Sequence, residues 1–175
     1  MQKWAPTVYF LFGQVGWFAC VLSAAHGVPW LGALVVLVLV AVHLWRVERP
    51  LVECKLLLAV LVMGGSWDSL LVRVDLLEYP SGMLVPGLAP YWIPALWLLF
   101  AAQVNTTYEW LKKRLWLASL MGAIAGPLSF RAGVSLGALR FVDPVVSLSA
   151  LAVGWAVILP LIIRLSRRWN GVRAS

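Results

Sequence analysis

Residues 145–165, VVSLSALAVGWAVILPLIIRL, decide how the rest of the chain is interpreted. This run carries no charged side chain before Arg164, and a helix needs about 20 residues to cross the hydrocarbon core of a bilayer. A helix that is apolar on all sides needs an apolar solvent, whereas a surface helix of a soluble protein has one polar face. The run therefore predicts a transmembrane helix.

The same pattern recurs along the chain and predicts an all-α transmembrane bundle of about six spans, in one integral membrane domain over residues 1–175. Of the 175 residues, 62% are hydrophobic and only 12% are charged, which is far from the usual composition of soluble domains. The predicted spans are residues 7–25, 31–45, 53–74, 91–111, 115–131 and 145–165.

Three alternatives to this span count stay open. The second run is short and the fifth contains Gly126-Pro127, so either is compatible with a re-entrant or broken segment, and five or seven spans are the alternatives. The first run also resembles a signal peptide with a cleavage region at residues 22–25. Gln14 and Trp17 interrupt the plain apolar core of such a peptide, so we expect the first run to stay in the membrane.

The placement of the 14 basic residues predicts the orientation of the bundle. With six spans, only Arg73, Arg131 and Arg140 lie on the side opposite the termini. Because an excess of Lys and Arg marks the cytoplasmic face, we expect both termini in the cytoplasm. Topology thus explains the net charge of +7, and we expect no nucleic-acid partner. The basic residues on the terminal side are Lys3, Arg46, Arg49, Lys55, Lys112, Lys113, Arg114, Arg164, Arg167, Arg168 and Arg173.

Two further features concern the ends of the spans. The loop over residues 75–90 is rich in Pro and Gly, which favour turns, and we expect it to cover an opening in the bundle. Four of the 11 tryptophans lie deep in the predicted spans: Trp17, Trp67, Trp97 and Trp155. The others fall near span ends, as is typical of interfacial aromatic belts: Trp4, Trp30, Trp45, Trp92, Trp110, Trp116 and Trp169.

Ionisable side chains inside the spans are the first candidates for function, because they are costly in lipid and face a bundle interior or a water-filled cavity. Asp68 lies in the third span, within the stretch GGSWDS, and Arg131 lies at a similar depth near the end of the fifth span. We expect Asp68 and Arg131 to form an ion pair. The pair is open to two interpretations, a lock between two helices or part of a ligand site.

A line of polar residues is predicted along the fourth and first spans. Asn105 and Glu109 are spaced i, i+4, which places them on one helical face. Together with Gln14 and Gln103 they are candidates for a polar lining of the bundle axis. The structural alternatives are an interhelical hydrogen bond for Asn105 and an interfacial ion pair with neighbouring lysines for Glu109.

The sequence contains no pattern that indicates a metal site, a cofactor or a disulfide. His26 and His43 have no His or carboxylate at i+3 or i+4, so we expect no metal ion. Cys20 and Cys54 lie in or next to apolar stretches without metal-binding spacing, and we expect both to act as small buried apolar side chains. Nor does spacing alone indicate a catalytic triad, since triads are recognised by geometry.

Three stretches together resemble the bacterial domain-of-unknown-function 2878 family of small inner-membrane proteins: WDS at 67–69, PYWIP at 90–94 followed by LW at 96–97 and Asn105, and GPLSFRAG at 126–133. The resemblance covers residues 10–165. It implies a multi-pass protein of a bacterial inner membrane, encoded near cyclopropane-fatty-acid-synthase relatives, amine-oxidase-like flavoproteins and photolyases. By association, it implies lipid-modifying enzymes as partners and a role in lipid modification or membrane stress.

From these features we expect a binding or accessory protein that holds a lipid or other apolar ligand in a polar-lined pocket of the bundle. Trp67 would pack on the ligand, and Asp68, Arg131 and Asn105 would hold its polar head, with Gln14 and Glu109 as further candidates. Two alternatives remain. One is a membrane-embedded enzyme in which Asp68 or Glu109 acts as a general base on a lipid. The other is a proton-coupled or small-solute transporter.

Overall fold

The computed structural model describes residues 5–172, so the predictions for Lys3, Trp4 and Arg173 lie outside the described part. Within this part, two-residue strands β1 (Leu77–Glu78) and β2 (Arg140–Phe141) pair antiparallel, and a short 3₁₀ helix spans Glu109–Lys113. The helical bundle predicted from the sequence is confirmed. Its six α-helices are α1 (Ala5–Ala25), α2 (Pro29–Arg46), α3 (Pro50–Arg73), α4 (Trp92–Val104), α5 (Leu115–Ser135) and α6 (Pro144–Arg168).

Five of these helices, all but α4, are long and apolar enough to cross a membrane, which makes the chain a multi-pass membrane protein. Local sequence sets where several of them begin. Pro29, Pro50 and Pro144 occupy the first turn of α2, α3 and α6, where a missing backbone N–H costs nothing. At α6 the Asp143 carboxylate also accepts hydrogen bonds from the backbone N–H groups of Val145 and Val146.

Helix α4 lies at the centre of the bundle. It packs against α1, α2 and α3, and most of its 13 residues are buried. At 1.5 Å per residue it is about 20 Å long, too short to cross a hydrocarbon core of about 30 Å by itself. Non-helical backbone is tolerated at membrane depth only where protein surrounds it. The central position of α4 meets that requirement.

The fourth predicted span was wrong at its C-terminal end, because the α-helix stops at Val104. Asn and Thr side chains compete with helical hydrogen bonds by bonding to nearby backbone, and Thr106 Oγ1 does so by donating to the Gln103 carbonyl at 3.1 Å. A turn and the 3₁₀ helix follow. Asn105 and Glu109 therefore do not share a helical face.

The two prolines inside helices are both accommodated. Helix α5 runs without a break through Pro127, so the alternative of a broken fifth span is not observed. In α6, Pro160 has no N–H to offer the carbonyl of Ala156, four residues earlier. The hydroxyl of Ser119 on α5 donates to that carbonyl at 2.6 Å. A neighbouring helix thus restores the lost hydrogen bond and joins α5 to α6.

Glycines make room for three of the deep tryptophans. A Cβ atom added at each of these glycines would overlap the indole ring that lies above it. The small residue lets the helix carrying the tryptophan approach closely, as is common in membrane helix packing. The pairs are Gly64 with Trp97, Gly126 with Trp155, and Gly154 with Trp67.

The loop between β1 and α4 folds over the adjoining end of the bundle, which we call the loop end. Ser81 Oγ donates to the Ala24 carbonyl at 2.7 Å, and Trp92 Nε1 donates to the Ser81 carbonyl at 3.3 Å. Trp92 is 1% exposed, so its predicted place in an interfacial belt was wrong. Burial raises the pKa of the Tyr79 phenol, which packs edge-on against Trp92, well above its usual value.

We expect Gly64→Ala to lower the free energy of unfolding by about 1–3 kcal/mol, because its methyl group would overlap Trp97. Gly65→Ala is the matched control, since its Cβ would meet only Pro94 Cγ at 3.8 Å. Both changes bring the same gain in helix propensity. Thermal unfolding in mild detergent measures the difference, and equal melting temperatures for the two variants would contradict the close Gly64–Trp97 contact.

Candidate functional site

A cavity of about 560 Å³ lies between α1, α4, α5 and α6, with one residue contributed by α3. We call it the interhelical cavity. Its size is typical of pockets that take small apolar ligands, and most of its lining is apolar or aromatic. Its lining includes Gln14, Trp17, Asp68, Trp97, Phe100, Gln103, Tyr108, Ala125, Gly126, Leu128, Ser129 and Trp155.

The cavity opens between α1 and α5. Helix α5 packs along α6, and α1 and α5 are not packed together along their lengths. The Trp17 indole N–H donates to Ser129 Oγ across this gap at 3.1 Å. Gln14 and Ala125, near the middle of α1 and α5, line the cavity and are exposed. Because α1 and α5 are each long and apolar enough to cross a membrane, we expect an opening at the middle of both helices to face the hydrocarbon core.

Asp68 supplies the acidic side chain of the cavity and is 1% exposed. Trp97 Nε1 donates to its Oδ2 atom at 2.6 Å, whereas Oδ1 has no hydrogen-bond partner within the described residues. The predicted Asp68–Arg131 ion pair is not formed, and Arg131 is exposed. The reason is tertiary: α5, which carries Arg131, packs on α6 instead of α3.

An aromatic cluster forms the wall beside Asp68. The rings of Trp97 and Trp155 stack with centroids 4.7 Å apart and planes 15° apart. Phe100 packs edge-on against both rings. Trp155 Nε1 is buried and, in the part of the chain that is described, has no acceptor. The wall thus combines an unpartnered acceptor, Asp68 Oδ1, with an unpartnered donor, the Trp155 N–H.

The opposite part of the cavity carries weaker polar groups. Gln103 is buried and uses its side-chain amide to bond the Leu99 carbonyl at 3.2 Å. Tyr108 lies beside Phe100, with ring centroids 5.5 Å apart. The structure therefore brings Gln14, Gln103 and Asp68 to one cavity, whereas Asn105 and Glu109 of the predicted polar line lie outside its lining.

The other candidate residues lie away from the cavity lining. Trp67 packs on Gly154, and its buried N–H has no partner among the described atoms. Glu109 is half-buried in the 3₁₀ helix, and Arg131 is exposed on α5. Asn105 is fully buried near the end of the bundle opposite the loop end. We call that the basic end, since most basic residues adjoin it.

Sequence reasoning missed a buried polar network at the basic end, centred on Glu53, which is 0% exposed. Glu53 Oε1 lies 3.2 Å from His43 Nε2. Glu53 Oε2 accepts from Asn105 Nδ2 at 2.9 Å and from the Gly171 backbone N–H at 2.8 Å. The partners are far apart in sequence, so spacing within one helix gave no signal. A Glu inside an apolar run was the available hint.

Further hydrogen bonds complete the network. Tyr9 Oη lies 3.1 Å from His43 Nδ1, and Lys112 Nζ donates to Asn105 Oδ1 at 2.7 Å. Asn105 Nδ2 also donates to the Trp169 carbonyl at 3.0 Å. The network joins the starts of α1 and α3, the ends of α2 and α4, and the segment after α6. Its polar groups bind one another, which indicates a structural anchor, unlike the unpartnered groups in the cavity.

Comparison with known proteins identifies one family. The model of the family described as "Protein of unknown function (DUF2878)" matches residues 6–161. No curated protein and no solved structure matches the chain.

We expect Glu53→Gln to lower the free energy of unfolding by about 3 kcal/mol, because an amide N–H₂ would replace an acceptor in a buried, fully bonded network. Amide hydrogen exchange in residues 169–172 should accelerate as well, since Gly171 loses its anchor. Glu78→Gln is the control, since its ion pair with Arg140 is exposed and worth about 1 kcal/mol at most. Equal stability of the two variants would contradict an anchoring role.

Proposed function

Because the chain belongs to the family described as "Protein of unknown function (DUF2878)", whose description assigns no activity, we propose a function from the geometry of the interhelical cavity. The protein binds a lipid or other apolar ligand that enters from the bilayer between α1 and α5. The ligand's polar group lies against Asp68 and Trp155, and its apolar part extends toward the opening. Such binding would make the protein an accessory to lipid modification in its membrane.

The observation that carries this proposal is the pair of unpartnered polar atoms in the cavity wall. Buried donors and acceptors almost always have a hydrogen-bond partner, because an unmade bond costs about 1–3 kcal/mol. Asp68 Oδ1 and Trp155 Nε1 both lack one within the described residues, and both side chains line the cavity. A bound ligand would supply the missing partners.

The position of the opening supports an apolar ligand. A pocket that opens at the depth of the hydrocarbon core takes its ligand from lipid, since water is absent at that depth. The Trp17–Ser129 hydrogen bond crosses the gap, and breaking one such bond to widen the gap costs only about 1 kcal/mol. Gln14 lies at this opening, where its amide has no water to bond and gains from a polar partner on the ligand.

We expect Ala125→Trp to block the cavity and reduce ligand retention about tenfold or more, because the indole would occupy the space beside Gly126. Ile124→Trp is the matched control, since Ile124 is exposed on the same helix and does not line the cavity. Mass spectrometry of the small molecules that co-purify with each variant in mild detergent gives the readout.

A defined apolar species that is lost from Ala125→Trp and kept by Ile124→Trp and by the wild-type protein supports the proposal. The same bulk membrane lipids in all three preparations, in the same amounts, would overturn it. Melting temperatures of the two variants are compared first, so that loss of ligand is not confused with loss of folded protein.

A further inference from the structure

The charge of the cavity limits which polar group it can hold. Its described lining residues include no Lys, Arg or His, and the charged-type side chain among them is Asp68. Arg131, the cation expected there from the sequence, is exposed instead. A carboxylate or phosphate would be repelled by an ionised Asp68, and beside a protonated Asp68 it would still be buried in a low-dielectric interior without a compensating cation. The cavity therefore disfavours anionic headgroups.

The two unpartnered atoms limit the group further. Asp68 Oδ1 calls for a donor and the Trp155 N–H calls for an acceptor. They belong to one wall, because Trp97 donates to Asp68 and stacks on Trp155. A ligand group that both donates and accepts a hydrogen bond would satisfy the two atoms together. An ammonium group donates only and would leave the Trp155 N–H without an acceptor.

Trp155 lines the cavity and packs against Gly126. A Cβ atom at Gly126 would overlap Trp155 Cγ and Cδ1, on the same five-membered ring that carries the N–H group. Gly126 itself lines the cavity. The missing side chain at Gly126 thus lets the indole pack directly against α5 at the cavity wall.

We infer that the ligand is a lipid-class alcohol, whose hydroxyl group donates to Asp68 and accepts from the Trp155 N–H. This inference rests on the proposed function and specifies its substrate class. A hydroxyl group suits Asp68 in either protonation state, since it can donate to a carboxylate or accept from a carboxylic acid. Its apolar body would pack along the Trp97–Trp155 wall and leave past Leu128 toward the bilayer.

The test is equilibrium binding of a radiolabelled long-chain alcohol to the purified full-length protein in mild detergent. Unlabelled alkane, amine and carboxylic acid of the same chain length serve as competitors. We expect the alcohol to bind about tenfold more tightly than the alkane or the acid, which is the effect of one to two satisfied hydrogen bonds. Ala125→Trp should abolish saturable binding of all four compounds.

Two substitutions test the assigned atoms. Trp155→Phe keeps an aromatic ring and removes the N–H, so we expect it to weaken alcohol binding about three- to tenfold more than it weakens alkane binding. Trp67→Phe is the matched control, because Trp67 also has a buried N–H without a partner but lies outside the cavity lining. Asp68→Asn should reduce the difference in affinity between the alcohol and the acid, since it removes the charge that repels the acid.

The outcomes separate this inference from the proposed function. If none of the four compounds binds saturably to the wild-type protein, the binding function itself fails. If all four bind with equal affinity and Ala125→Trp blocks them, the binding function stands and the hydroxyl assignment is overturned. Tighter binding of the amine or the acid, or an equal effect of Trp155→Phe and Trp67→Phe on the alcohol, would also overturn the assignment.

Discussion

The burial of the short helix α4 is the constraint on which the other features depend. Its 13 residues end inside the protein, where the freed backbone and the Asn105 side chain have no water to bond. Glu53 resolves this by accepting from Asn105 and from the segment after α6. The polar network at the basic end is thus the consequence of ending a helix inside the protein. It also sets the positions of the helices that surround α4.

The cavity arises because the helices form two groups. Helices α1, α2 and α3 pack around α4, whereas α5 packs along α6 and is joined to it by the Ser119–Ala156 hydrogen bond. Trp97 and Trp155 join the groups by stacking. Their glycine partners, Gly64 on α3 and Gly126 on α5, allow close packing within each group. The packing between α1 and α5 is incomplete, so space remains beside the stacked rings and opens toward lipid.

The network around Glu53 and the cavity around Asp68 differ in how completely their buried polar atoms are hydrogen-bonded. Around Glu53 the buried donors and acceptors bond one another, and a closed network of this kind rigidifies a protein. In the cavity, Asp68 and Trp155 each keep an atom without a partner within the described residues. Both centres carry a buried carboxyl group, so the number of hydrogen bonds around each carboxyl group is what distinguishes the anchor from the proposed ligand site.

The sequence by itself determined the helical bundle and most span boundaries, because a long apolar run is stable in a bilayer as a helix. It also marked Asp68 as a candidate, because a carboxylate inside such a run is costly and is usually there for a function. The sequence did not predict the features that depend on contacts between residues far apart in the chain. The early end of α4, the separation of Arg131 from Asp68 and the network around Glu53 depend on which helices are neighbours. Which helices are neighbours follows from close packing of tryptophans on glycines of other helices, and residue spacing along a single helix does not predict it.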